Sequence, residues 1–392
     1  MPNKSIGILT GGGDVSPLNT VLSAARRSAI HSGFELIGFL KGWQGVLEKT
    51  YISLRDLPVD PAIGGTILKS SRVSLQAIPH AAEHVQRNCR EIGLQGLIVV
   101  GGEDTLSNCF GVNDPPQVLI SKTIDNDVGV MNRGDRIEPE DIINYFTLGY
   151  PTAAAKISSF VSLSEGLRTT AYSHERVIVV ESMGMHAGWL ALSSGMGHPD
   201  FIIIPEFPID YDRFKDAVIE RYGRQRHVII VAAEGARWSD GSYISADEEE
   251  KDDFGHPRFR GAGETLAQRL KADLKPFFDT RNVNAVNPSY LYRSGKPCEL
   301  DLQWAQTLGR KAVEICVDGV DENVFLGVER ENSGFRPAAY PLSRFDDIQA
   351  LHRFVDARFY DPETYSMTDQ AGSYLSAILE EMPPHRGYGI RL

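Results

Sequence analysis

The chain has 392 residues, 42% hydrophobic and 23% charged, with 37 glycines, 21 prolines and a formal charge of −12, which fits a globular protein of about two domains and excludes a low-complexity or solenoid architecture. The acidic balance, with a sequence pI near 5.4, argues against nucleic-acid or anionic-membrane partners, because counterion release needs a basic surface. Any anionic ligand must therefore meet a local basic pocket.

From the start, Ile6-Gly7-Ile8-Leu9 reads as a buried parallel strand, Thr10-Gly11-Gly12-Gly13-Asp14 as a glycine loop, and Pro17 to about Ile30 as a helix with Gly33 just past its end. A second strand, Leu97-Ile98-Val99-Val100, runs into Gly101-Gly102-Glu103-Asp104-Thr105 before another helix. A third, Val118-Leu119-Ile120, leads into Ser121-Lys122-Thr123-Ile124-Asp125-Asn126-Asp127. Later, Val177-Ile178-Val179-Val180 precedes Glu181-Ser182-Met183-Gly184, Phe201 to Ile204 precedes Pro205-Glu206, and Val228 to Val231 precedes Glu234-Gly235. Apolar strands that end in polar loops and alternate with helices describe a parallel sheet with its ligand crevice beyond the strands' carboxyl ends. The polar loops should gather on one side. Asp247 to Asp253 reads as a solvated acidic loop, and from about Ala339 a mix of aromatic and charged residues reads as a C-terminal extension without a legible role. Cys89, Cys109, Cys298 and Cys316 lack CxxC spacing, so reduced structural thiols are expected. With no signal-peptide core and no membrane-spanning apolar run, the expected location is the cytoplasm.

Three adjacent glycines after a strand can bring backbone amides to an oxyanion, and the following helix adds its dipole. A tight structural turn accounts for Gly11, Gly12 and Gly13 about as well, since their spacing fits neither GxGxxG nor the P-loop. Gly101-Gly102 sets amides beside Glu103 and Asp104, which are either Mg²⁺-holding carboxylates or solvated loop acids. The third loop is the most specific, because Asp125 and Asp127 flank Asn126 directly after Lys122 and Thr123. A carboxylate there can take a sugar hydroxyl's proton as it attacks phosphorus, while lysine neutralises the transferred group. An Asx-rich turn with an incidental lysine is the alternative.

Taken together, these loops resemble the phosphofructokinase family from Ile6 to about Val328, along with Gly64-Gly65-Thr66, Ser70-Ser71-Arg72, Ser173-His174-Glu175-Arg176, Met183-Gly184-Met185-His186-Ala187-Gly188, Thr280-Arg281 and Pro288-Ser289-Tyr290-Leu291-Tyr292-Arg293. The resemblance implies an α/β protein of two Rossmann-like parallel-sheet domains with the active site in the cleft between them. Residues 1–138, completed by 258–300, would bind the donor; 139–257, completed by 301–338, would bind the sugar phosphate; 339–392 would form the extension. It implies Asp125 as general base for the C1 hydroxyl of fructose 6-phosphate, with Lys122, Thr123 and Asp127 positioning substrate and charge. Arg72 would bridge the two phosphates, Glu103 would associate with Mg²⁺, and Gly11, Gly12, Gly13, Gly102 and Asp104 would face the donor. Met183, Gly184, Met185 and Glu234 would hold the sugar, and Arg176, Arg281, Tyr290 and Arg293 its 6-phosphate. His174 and His186 are read as structural. Arginines reaching in from a neighbouring copy imply a homodimer or homotetramer.

Similar enzymes that use ATP typically carry glycine where this chain has Asp104, leaving room for the α-phosphate and nucleoside. An aspartate fills and repels that space, so pyrophosphate is the expected donor, and Lys122 accords with it. An ATP-dependent phosphofructokinase tolerating Asp104, or a catalytically weak regulatory member, are the alternatives. Two departures from the family pattern motivate the last: Ser16-Pro17 replaces Pro-Gly before Leu18-Asn19, and Met185 replaces an arginine.

Overall fold

The computed structural model describes residues 4–131, 142–245, 261–278, 282–332 and 334–383, and the chain divides into two compact units. The first takes in the described residues up to 152 together with those of 293–353; the second takes in those of 153–292 and 354–383. The first unit's strands are β1 (Ser5–Thr10), β2 (Glu35–Phe39), β3 (Tyr51–Ser53), β4 (Leu94–Gly101), β5 (Gln117–Thr123) and β6 (Leu148–Gly149). The second unit contributes β7 (Val177–Ser182), β8 (Phe201–Ile203), β9 (Val228–Ala233) and β10 (Val283–Val286). The chain then returns to the first unit as β11 (Val324–Glu331) and β12 (Gly334–Pro341).

The first sheet has the order β12-β11-β5-β4-β1-β2-β3, with β6 paired to β5. β2, β1, β4, β5 and β11 run parallel, and β3 and β12 close the two edges antiparallel. Every residue of β1 is buried, as is every residue of β4 except Gln95, the pattern of strands covered on both faces. Because β5, β4 and β1 are parallel neighbours, the loops that follow them leave from one sheet edge. The gathering of polar loops expected from the sequence is therefore present. In the second unit, β10-β7-β9-β8 form an all-parallel sheet, which sets the loops after β7 and β9 side by side.

The exchange of late segments runs opposite to the sequence expectation: 301–338 belongs to the first unit, and the described residues of 261–292 to the second. Pairing is the reason, since Val324 and Leu326 of β11 align with Val118 and Ile120 of β5, whereas Val283 of β10 aligns with Val177 of β7. Short apolar strands carry no local mark of which sheet they join. The extension is likewise divided, with its described residues up to 353 in the first unit and those of 354–383 in the second. Asp247 to Asp253 lie outside the described residues.

One buried carboxylate anchors the return into the first unit. Asp301, near the start of helix Glu299–Asp318, is fully buried. It accepts from Gly149 N at 2.8 Å, Thr152 N at 2.9 Å and Thr152 Oγ1, serving helix-start amides that have no partner within helix Tyr150–Val161. Asp301→Ala is expected to lower the free energy of unfolding by about 3 kcal/mol, because several buried donors lose a charged acceptor. Urea denaturation checks this, and a loss below about 0.5 kcal/mol would contradict the anchoring role.

Candidate active site

The three glycines after β1 serve different ends. A Cβ at Gly11 would lie 2.6 Å from the Thr105 side chain, so packing against the loop after β4 requires that glycine. Gly12 turns the chain at a φ of +76°, and a Cβ there would lie 3.2 Å from Lys122 Nζ. At Gly13 it would lie 2.9 Å from Arg293 Nη1. The turn is thus structural at Gly11 and faced by two cations at Gly12 and Gly13. Lys122 donates to Gly13 O at 2.5 Å, and Arg293 pairs with Asp14 at 3.2 Å. Ser16 Oγ donates to Arg293 O at 3.1 Å, which gives the Ser16 departure a structural use. Gly12 N donates to Ser71 O at 3.2 Å and Ser70 Oγ donates to Gly12 O, so the exposed Arg72 rides on a segment stitched to this loop.

Lys122 is only 2% exposed. Burial pulls its pKa down to about 8; repulsion from Arg293 adds to that, and the carboxylates of Asp14, Asp125 and Asp127 oppose it. The loop it leads into is held by its own polar groups. Asp125 N donates to Thr123 Oγ1 at 3.1 Å, Thr147 Oγ1 donates to Thr123 O at 2.7 Å, and Thr147 N donates to Asn126 Oδ1 at 3.1 Å. Asn126 sits in the left-handed region at φ 53°, a conformation asparagine tolerates better than most residues.

Glu103 and Asp104 open the short helix Glu103–Ser107 after Gly102. Gln349 Nε2 donates to Glu103 Oε1 at 2.7 Å, and His352 Nε2 lies 3.7 Å from Glu103 Oε2. Ligand atoms of Glu103, Asp127 and His352 all fall within 4.8 Å of one another. Burial pushes the Glu103 carboxyl up, opposed by His352 and reinforced by Asp127 and Asp104. Burial also raises Asp127, with His352 and Arg353 among the groups opposing. Asp127 Oδ1 is buried without a hydrogen-bond partner among the described residues. Crowded carboxylates with an open acceptor and an adjacent imidazole fit a divalent cation. Gln349, His352 and Arg353 come from the extension and were missed in the sequence. They belong to no glycine loop or acid pair, so no local pattern marks them.

In the second unit, the loops after β7 and β9 meet. Gly184 N donates to Glu234 Oε1 at 3.1 Å, Gly235 N donates to Gly184 O at 3.1 Å, and Gly184 has a φ of +130°. Gly184, Met185 and Glu234 are therefore brought together, with Met183 half-buried beside them in sequence. Arg176 donates to Thr170 Oγ1 at 2.5 Å. Tyr290 is 65% exposed, and His174 and His186 are exposed. Arg281 lies outside the described residues.

A family profile described as Phosphofructokinase matches residues 5–316. The chain belongs to the phosphofructokinase family. It is 38% identical over 91% of its length, and over 98% of the relative, to a protein of Streptomyces coelicolor named ATP-dependent 6-phosphofructokinase 3. It is 37% identical over 92% of its length, and over 98% of the relative, to a pyrophosphate--fructose 6-phosphate 1-phosphotransferase of Dictyoglomus thermophilum. A solved pyrophosphate-dependent phosphofructokinase from Marinobacter aquaeolei shares the fold at a TM-score of 0.79 and 18% identity, over 99% of this chain and 94% of that one. The chain is a phosphotransferase of this family, and no helix among its described residues is long and apolar enough to cross a membrane.

A phosphofructokinase relying on this ammonium loses the charge as pH rises through about 8. kcat/KM for the phosphoryl donor, which reports the free enzyme, is expected to show a basic limb there. In Lys122→Arg, whose charge persists, the limb should move up by more than about one unit; a pH–rate series that leaves it in place would contradict the role. The stability effect has the opposite sense. The folded pKa lies below the ordinary 10.5, so the unfolded chain binds more protons between the two values, and this residue's contribution to stability grows as pH rises through that window.

Proposed function

We propose that the enzyme transfers a phosphoryl group from pyrophosphate to the C1 hydroxyl of fructose 6-phosphate, reversibly, giving fructose 1,6-bisphosphate and phosphate. The observation that carries this reading is the β5 loop: Lys122, Asp125 and Asp127 stand at the carboxyl end of one buried strand, beside the glycine loops of β4 and β1. Asp125 takes the proton of the attacking hydroxyl. Lys122, standing against Gly12, offsets the charge of the moving phosphoryl group, and Arg72 approaches it from the adjoining segment. Arg293, expected at the sugar 6-phosphate, stands against Gly13 and Asp14 and is reassigned to the same charge. Glu103 and Asp127 would hold Mg²⁺, which neutralises donor oxygens when bound. Met183, Gly184, Met185, Glu234, Arg176, Arg281 and Tyr290 are assigned to the sugar phosphate. The same reading makes the protein a cytoplasmic homodimer or homotetramer.

Its relatives' names divide between the two donors at 38% and 37% identity, so the donor assignment rests on Asp104. That carboxylate follows Glu103 directly and adds to the charge crowding there. A pyrophosphate has no α-phosphate or nucleoside to seat against it.

Asp125→Asn is expected to lower kcat by on the order of 10²–10⁴ while sugar-phosphate binding persists. Near-normal turnover by folded mutant enzyme would remove the base assignment. For the donor, wild type is expected to prefer pyrophosphate over ATP in kcat/KM, with Asp104→Gly moving that ratio toward ATP, since exclusion can rest on one repulsive element. The check is the two specificity constants with fructose 6-phosphate saturating. A wild type preferring ATP would reverse the donor, and an unchanged ratio in the mutant would clear Asp104 of the gating role.

A further inference from the structure

We propose that Arg353, from the C-terminal extension, is a positioning residue for Asp125 and acts through Asn126. The segment carrying it runs antiparallel to the exit of that loop. Gly129 N donates to Leu351 O at 2.6 Å, Arg353 N donates to Asp127 O at 2.7 Å, and Val128 bridges His352 between them. This pairing delivers a side chain only 2% exposed into the turn. Its guanidinium donates from Nε to Asn126 O at 2.9 Å and from Nη2 to Asn126 Oδ1 at 2.5 Å. From Nη1 it donates to Asn144 O at 2.8 Å and Tyr145 O at 3.3 Å.

Both asparagines in this clasp are left-handed, with φ of 53° at Asn126 and 58° at Asn144. Such backbone persists at a non-glycine residue only where its surroundings over-determine it. One planar fork reads both oxygens of Asn126 and so sets the residue between the two aspartates. The chain makes room for that fork: a Cβ at Gly129 would lie 2.9 Å from Arg353 Nη1 and 2.7 Å from Ile143 O. Asn144 in turn donates to Ser121 Oγ at 2.8 Å and Val128 O at 2.6 Å, so the clasp reaches the strand that carries Lys122. A lysine has the charge but not the fork, and cannot reproduce four directed bonds. Loosening the turn moves a base that must meet its proton within hydrogen-bond reach, and displacements near 1 Å can cost on the order of 10² in rate.

The inference rests on Asp125 as the base, and its test separates the two claims. Steady-state kinetics with fructose 6-phosphate are measured on full-length wild type, Arg353→Lys, Asp125→Asn and the double variant. Arg353→Lys is expected to lower kcat about 10- to 100-fold with KM for the sugar phosphate changed by less than about twofold. In the Asp125→Asn background, Arg353→Lys is expected to change kcat by less than about twofold, because the group it positions is gone. A purely structural arginine would carry its full effect into that background, and that outcome, or a near-normal kcat in Arg353→Lys, overturns the proposal. An active Asp125→Asn overturns the base assignment and this inference together, whereas an inactive Asp125→Asn beside a normal Arg353→Lys overturns this inference alone. Should Arg353→Lys not fold, Asn126→Gly takes its place: glycine accepts the left-handed backbone while deleting the Oδ1 acceptor. Its kcat is expected to fall about 3- to 10-fold, again only when Asp125 is present, and an unchanged kcat overturns the proposal.

Discussion

A lysine ammonium that is 2% exposed at the end of β5 constrains everything built around it. A buried charge is tolerated only with compensating charges and dipoles close by. Here they are the Gly13 carbonyl and the carboxylates of Asp14, Asp125 and Asp127. The glycine turn must therefore face the lysine with backbone rather than side chains. Arg293, repelling the same ammonium, needs a counter-charge of its own and has one in Asp14.

This requirement divides the first unit's site electrostatically. Cations stand against Gly12 and Gly13, while Glu103 and Asp127 crowd together next to His352 with their carboxyls held above the ordinary range. Such a division suits a ligand that brings phosphate oxygens to one side and a metal to the other. Relatives at 38% and 37% identity carry different donors in their names, and donor choice can turn on one repulsive side chain while the rest of a sequence stays alike.

The extension joins that arrangement at three points. Gln349 and His352 meet Glu103, and Arg353 meets the turn between the aspartates. Segment 349–353 thus touches the loops after both β4 and β5. Two loops that leave neighbouring strands thereby share a brace in one short segment of the extension.

Several features were legible in the residue order. Apolar runs ending in glycine or acidic loops marked β1, β4, β5, β7, β8 and β9, and their alternation with helices implied a parallel sheet, because burial and turn chemistry act over a few neighbouring residues. The spacing of Lys122, Asp125 and Asp127 singled out the β5 loop as a candidate site. Other features needed the folded chain. Gly11 is required by the close approach of Thr105, Lys122 titrates low because it is enclosed, and β11 and β10 join sheets opposite to those expected. Arg353 acquires its place only when a segment more than two hundred residues downstream pairs with residues 127–129. Local pattern sets what each short stretch can become. Which free sheet edge it completes, and which buried charge it meets, is settled by long-range burial that no window of neighbouring residues contains.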